Sequence, residues 1–564
     1  MRIVVALFAG FVTSLASAAP VAVTVDTTAN VHPFSPLIFG VAYGDATRNA
    51  QVGYTVRRWG GNSTTRYNWQ YDIHNTASDY FYENIPDSQD RTHIPPLGNS
   101  ADAFITEART AGAQPLITIP TIGLKPLDNS ALQHFYTVGF SVAKYGAAQY
   151  VDPYDTNAGN GYRLNGTEIT NNSPSDTSDA APPSYEAGWI AHLQSVFGTA
   201  ANGGVKFYSL DNEVMLWSST HRDVHPAPTT YDETWNNAVA YGGAIKQQDP
   251  NALVTGPVTW GYCDLFGSAA DNCLDGNDRQ AHSGLPFVAW YLQQVQAHPV
   301  NGKPLVDYLD LHYYPQDPNG AAGSIYSGAE DATTVSRRMK SLRELYDPNW
   351  VSQAWIADLG HDPPYYYDTP QLIPRVKAWI NQYAPGTKLA ITEYAWDNTK
   401  KVGNIEVDTI SGGVAQAEVL GIFAREGVDL ATRWTAPLVN GFNERAFRLF
   451  LNFDGAGSKV RGDSVKATTA NIDQIGAYAF HGDSRLMILL TNKDTVAHDV
   501  TVTLNAARNA TWKLYGFDAS HDLRQIGSPG TLTTNALTLT GLAAMSANLL
   551  VIPDNDEIFA DNFE

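Results

Sequence analysis

Eight short apolar runs recur between residues 36 and 452, separated by stretches of helical or irregular pattern. They read IFGVAYG (38–44), YTVRRWGGN (54–62), PLITIP (115–120), VKFYSLDNE (205–213), ALVTGP (252–257), YLDLHYYP (308–315), KLAITEY (388–394) and DLATRWTAP (429–437). Helical patterns such as SADAFITEARTAG (100–112) and VSRRMKSLRELY (335–346) lie between several of them. Strands alternating with helices build parallel sheets, and eight such units predict an α/β fold with a closed (β/α)8 TIM-like barrel over residues 36–452. From about residue 453 the texture changes to short alternating strands, RLMILLTN, HDVTVTL, ATWKLYGF and ALTLTGL, with Asn, Gly and Ser between them. That pattern predicts an antiparallel β-sandwich over 453–553. VAVTVD (21–26) alternates as a strand but has no helix after it, so residues 19–35 are assigned to the sandwich.

Length agrees with two domains, since 564 residues exceed the ~250–300 at which one core stops growing. The first eighteen residues carry one basic side chain, an apolar run and small residues Ala16 and Ala18. They predict a secretory signal peptide over 1–18 and a secreted protein, the run being too short to span a bilayer. The two cysteines, Cys263 and Cys273, are expected to close a small loop by a disulfide in an oxidising compartment. A formal net charge of -21 argues against nucleic acid or an anionic membrane as partner. Thirteen Trp and 29 Tyr supply flat faces suited to ring-shaped ligands as well as to cores. The tail 554–564, with IFADNFE, is set apart by acidic residues and reads as a frayed terminus.

A barrel gathers its chemistry at the C-terminal strand ends, which here read GGN, DNE, HYYP, TEY and WTAP. Glu213 and Glu393 end the fourth and seventh runs and should face each other across the mouth. Paired carboxylates flanking a groove are what glycoside hydrolysis requires, one as acid/base and one as nucleophile or base. Asn212 is placed to bond a sugar hydroxyl. His312 and Tyr314 share a strand parity, so both can point inward, with the Tyr hydroxyl toward Glu393. Arg57 or Arg58 can bring a positive charge to the nucleophile. Asn62, from GGN, is a further candidate for the substrate groove, and Trp59, Trp217, Trp396 and Trp434 are candidates for sugar stacking. Asp211 reads as a strut. His221 and His225 stand four apart, but Arg222 occupies the place where a zinc protease needs Glu, so a metalloprotease is disfavoured. Glu83, Asp152 and Asp155 offer hard oxygen ligands for a structural calcium.

DNE with its Trp217, HRDVHP, RRWGGNSTTRYNWQYDIHN, FYENIP and ITEYAW together resemble glycoside hydrolase family 44, the endoglucanases and xyloglucanases, over most of residues 20–550. The resemblance implies a barrel plus β-sandwich, cleavage of β-1,4-glucan backbones with retention of configuration, Glu213 as acid/base and Glu393 as nucleophile. It also implies bound calcium, without fixing its ligands. No catalytic cofactor is expected, and the chain is expected to act as a monomer on a β-glucan. A mannanase or xylanase of the same barrel type, or a non-catalytic carbohydrate-binding protein, stands as the alternative.

Overall fold

The computed structural model describes residues 19–87, 99–127, 137–272, 275–396, 400–402 and 405–554. The expected signal peptide, Cys273 and the tail beyond Asp554 lie outside the described residues. The barrel strands are β1 (Gly40–Ala42), β2 (Val56–Trp59), β3 (Gln114–Ile119), β4 (Phe207–Leu210), β5 (Leu253–Thr259), β6 (Tyr308–Tyr313), β7 (Lys388–Tyr394) and β8 (Leu430–Arg433). They pair in parallel, in chain order, into one closed barrel. Each coincides closely with one of the eight apolar runs, because strands covered by helices on the outside and packed on the inside are apolar on both faces.

Side chains alternate along a strand, so the barrel fills in layers. The lowest layer is apolar: Val56, Leu116, Phe207, Tyr308, Ala390 and Leu430 pack as one cluster. Two positions further along the same strands stand Arg58, Thr118, Ser209, Asp310, Thr392 and Thr432, all buried. This polar floor is unlike the branched apolar filling usual in such barrels, and it sits directly beneath the strand ends. Between β6 and β7 the register slips, with Leu311 opposite Ile391 but His312 opposite Glu393. Such an irregularity re-aims side chains next to a site. Here it lets the consecutive residues Thr392 and Glu393 both reach the interior.

The sheet domain is an eleven-stranded sheet, in which Val21–Asp26 lies antiparallel to Asp463–Thr469 and parallel to His498–Leu504. Val23, Val25, Ile475, Ile488, Val500, Val502 and Leu550 pack there in a second core. The opposite face of this domain carries Tyr478, Phe480, Met487, Leu489 and Leu549, which belong to the barrel's core. Strands of this domain are therefore buried on both sides. Glu418, on the helix Ile410–Glu426 beneath them, is fully buried and accepts from Lys493 Nζ (2.9 Å), Thr491 Oγ1 (2.7 Å) and Tyr478 Oη (3.1 Å). Among the described residues no helix is long and apolar enough to cross a membrane.

Candidate active site

Asp211, Asn212 and Glu213 follow β4 directly. Asp211 and Glu213 have φ of 66° and 45°, a left-handed region that costs a non-glycine residue of order 1–3 kcal/mol unless its surroundings impose it. The surroundings do. Asp211 Oδ1 accepts from Thr65 Oγ1 (2.6 Å) and the Asn212 N–H (2.8 Å), and Oδ2 accepts from the Thr121 N–H and hydroxyl. Fully buried, Asp211 is a strut that turns Glu213 into the barrel mouth.

There an oxygen of Glu213, an oxygen of Glu393 and a ring nitrogen of His312 lie within 4.8 Å of one another. Arg58 Nη1 donates to Glu393 Oε1 (2.5 Å) and Tyr314 Oη donates to Oε2 (2.8 Å). With both oxygens accepting, Glu393 is placed as a carboxylate. The other arm of Arg58 donates to Asn212 Oδ1 (2.8 Å), and Asn212 Nδ2 donates to Asn62 Oδ1 (3.2 Å). His312 Nδ1 stands 2.9 Å from Glu213 Oε1. Burial first, and then the charge of Glu393, push the Glu213 carboxyl well above the usual carboxylate range. Burial and the Arg58 charge hold His312 well below the usual imidazole value, so its ring is neutral. Burial, with both glutamates nearby, raises Tyr314 far enough to keep it a donor.

Of the two adjacent arginines, parity selects Arg58; Arg57 points outward to Glu107 (3.2 Å) and over the Phe104 ring. Three expected stacking platforms are corrected as well. Trp59 faces outward from β2 into Tyr43, Tyr67 and Phe104. Trp217 is 1% exposed, folded back against His225. Trp396 is 2% exposed and donates to Ser341 Oγ (3.0 Å). These three are core. Trp434 lines an open cavity of about 520 Å³, together with Tyr314, Tyr326, Arg433, Glu406 and Asp408. Its ring edge lies against Gly61, where a Cβ would come within 2.6 Å of it, and a Cβ on Gly60 would meet the Arg58 guanidinium. The GG pair admits both side chains.

HRDVHP serves the scaffold. Asp223 pairs through both oxygens with Arg66 at 2.9 Å in a fully buried bridge, and Arg222 donates to the Ile169 and Gly161 carbonyls. His225 bonds Glu233 (2.7 Å) and His221 is fully buried. Asp310, Thr392 and Thr255 stand outside the expected set, and their hydroxyl and carboxyl groups lie one layer below the pair. Their signal was present in the inward parity of each strand.

The structure brings Glu83 and Asp152 together, with Asp155 close by. Burial first, then the charge and contact of Asp152, then Asp155, push Glu83 up to about 8. Its Oε1 is buried without a partner, and among the described residues no Lys or Arg pairs with the three. The orphaned oxygen beside Asp152 is open to a hard divalent cation, although Glu83, Asp152 and Asp155 do not bring one oxygen each within 4.8 Å of the others. Cys263 is buried.

Residues 73–317 match the model of glycoside hydrolase family 44. Beta-mannanase/endoglucanase A of Caldicellulosiruptor saccharolyticus is 30% identical over 92% of the chain, which spans 38% of that protein's length. CelM2, a bifunctional glucanase-xylanase from a metagenome library, is 35% identical with a TM-score of 0.85, over 95% of this chain and 99% of that one. A Paenibacillus polymyxa family 44 xyloglucanase, solved with xyloglucan, is 27% identical with a TM-score of 0.74, over 94% and 99%. Barrel, sheet domain and sequence thus agree over nearly the whole length of solved relatives, and the chain belongs to glycoside hydrolase family 44.

Proposed function

We propose that the protein is a secreted retaining endo-β-1,4-glucanase that cleaves xyloglucan and soluble cellulose derivatives. The observation that carries this reading is the closeness of two unlike carboxyl groups: an oxygen of Glu213, an oxygen of Glu393 and a ring nitrogen of His312 lie within 4.8 Å of one another. Retaining enzymes hold their carboxyl groups about 5–5.5 Å apart, whereas inverting ones leave about 6.5–9.5 Å for a water.

In the proposed cycle Glu393, oriented by Arg58 and Tyr314, attacks the anomeric carbon while Glu213 gives its proton to the departing glycosidic oxygen. Forming the glycosyl ester removes the negative charge on Glu393. That charge is the second cause of the raised Glu213 pKa, so its loss prepares Glu213 to act as base toward water. Asn212 keeps one amide hydrogen for a sugar hydroxyl. Trp434 offers its face to the ring bound beside Glu393. A pure binding protein would gain nothing from desolvating two acids together. Names of relatives extend to xylan and mannan, so the polymer is to be ranked by assay.

Glu83, Asp152 and Asp155 are proposed to hold a structural calcium, which would neutralise the crowded carboxylates and tie their loops together. Removal of residues 1–18 and a Cys263–Cys273 bridge complete the proposed exported form.

The test is reducing-end release from xyloglucan, carboxymethylcellulose, xylan and mannan by wild type, E213Q and E393Q, with folding checked by circular dichroism. Loss of about 10³-fold or more in both folded variants, with xyloglucan the best substrate, is expected. A wild type that binds these polymers without releasing ends refutes the reading.

A further inference from the structure

Asp310 is fully buried in the barrel floor, one layer below the carboxyl pair. Its Oδ2 accepts from Thr255 Oγ1 (2.5 Å) and its Oδ1 from Thr392 Oγ1 (2.7 Å). Thr392 Oγ1 in turn lies 3.2 Å from His312 Nε2, and the far side of that ring, Nδ1, meets Glu213 Oε1 at 2.9 Å. The four groups form one line from floor to site.

Hydrogen positions along the line follow from counting donors. An ionised Asp310 only accepts, so the single hydroxyl hydrogen of Thr392 points down to it. Thr392 Oγ1 therefore faces His312 with lone pairs, and Nε2 must carry the hydrogen between them. A neutral imidazole has one N–H, which leaves Nδ1 bare. A bare Nδ1 beside Glu213 is favourable only if Glu213 carries a proton to share.

Resting on the acid/base reading above, we infer that Asp310 and Thr392 are positioning residues: they fix the His312 tautomer so that its Nδ1 lone pair holds the catalytic proton on Glu213. After that proton has left, the same lone pair repels the carboxylate and favours its recovery from water. The relay works while Asp310 is ionised. Burial, opposed by the two threonines and Arg58, pushes Asp310 up to about 6, so the relay relaxes as pH falls through that value. The charged groups that bear on Glu213 itself are Glu393, Arg58, Asp264 and Asp79, and those that face His312 are Arg58, Glu213 and Glu393, whose Oε2 lies 3.6 Å from Nδ1.

Thr392→Val removes the acceptor for Nε2–H, and the ring can then turn its hydrogen toward Glu213 and stabilise the carboxylate. For kcat/KM on cellohexaose, whose leaving group needs a proton, the alkaline limb is expected to move down by about one pH unit. Hydrolysis of 2,4-dinitrophenyl β-cellobioside, whose leaving group needs none, should lose less than about twofold. Thr392→Ser should keep the wild-type limb, and Asp310→Asn, whose amide can donate to Thr392, should move it as Thr392→Val does. An unmoved limb in Thr392→Val, equal shifts in the Ser and Val variants, or equal losses on both substrates overturns the proposal. Nitrogen NMR of histidine-labelled wild type, with the His312 signals assigned by difference from His312→Gln, reads the tautomer without catalysis. Protonated Nε2 is expected, and protonated Nδ1 refutes the relay. Wild type inactive on both substrates would instead defeat the acid/base reading, while the ring tautomer would still decide the relay.

Discussion

A methyl group at position 60 would lie 2.3 Å from the guanidinium carbon of Arg58. That side chain is fully buried and has no room to step aside, so Gly60→Ala should push it off Glu393. Misplacing Glu393, the proposed nucleophile, costs about 10²-fold in rate, and kcat on xyloglucan should fall by that order while the thermal midpoint moves far less. Equal activity of Gly60→Ala and wild type would show that Arg58 does not hold the nucleophile. Glu213 makes a second residue-scale prediction. In the proposed cycle its acid form is the working form, and burial raises its pKa, so kcat/KM should persist above the ordinary carboxyl range and fall as pH rises through that raised value. A profile already falling between about pH 4 and 5, the ordinary carboxyl range, would contradict the assignment of Glu213 as acid.

Elements decide which of these residues can meet. The slip between β6 and β7 brings both Thr392 and Glu393 inside, and nothing in KLAITEY announces it, since a regular strand would turn one of the two outward. The strand ends themselves were legible, because apolar runs that end in DNE or TEY place charge where a barrel opens. Three tryptophans depart from the expected stacking role for a related reason. Trp59 follows the inward Arg58 and so must face the helices, whereas Trp217 and Trp396 lie beyond their strands, where no periodicity records a direction. The loop that carries Asp152 and Asp155 is a further element with its own test. Glu83 binds a proton more tightly folded than unfolded, its pKa rising from the ordinary carboxyl value of 4.5 up to about 8. Without a cation, stability should therefore fall as pH rises through that window. Calcium should replace the proton and flatten the fall, raising the thermal midpoint at about pH 8 by several degrees over protein in EDTA. Identical midpoints with calcium and with EDTA would show that no cation is held there.

At the scale of the molecule, the sheet domain is joined to the barrel through Glu418, which gathers Lys493, Thr491 and Tyr478 away from water. Removing one partner of a buried pair leaves the other charge unpaired, at a cost of about 3–5 kcal/mol. Glu418→Ala should lower the urea midpoint accordingly, and an unchanged midpoint would show that the two bodies do not depend on this contact. The division into barrel and strand-rich domain could be read from texture alone, but this joint could not, because it needs a helix residue and a strand residue distant in sequence. In the proposed cycle the whole arrangement serves one covalent event. Incubation with a 2-deoxy-2-fluoro β-cellotrioside bearing a good leaving group, followed by peptide mass spectrometry, would trap that event directly. One fluoroglycosyl adduct is expected on the peptide containing Glu393, and an adduct on Glu213, or turnover without any adduct, would contradict Glu393 as the nucleophile.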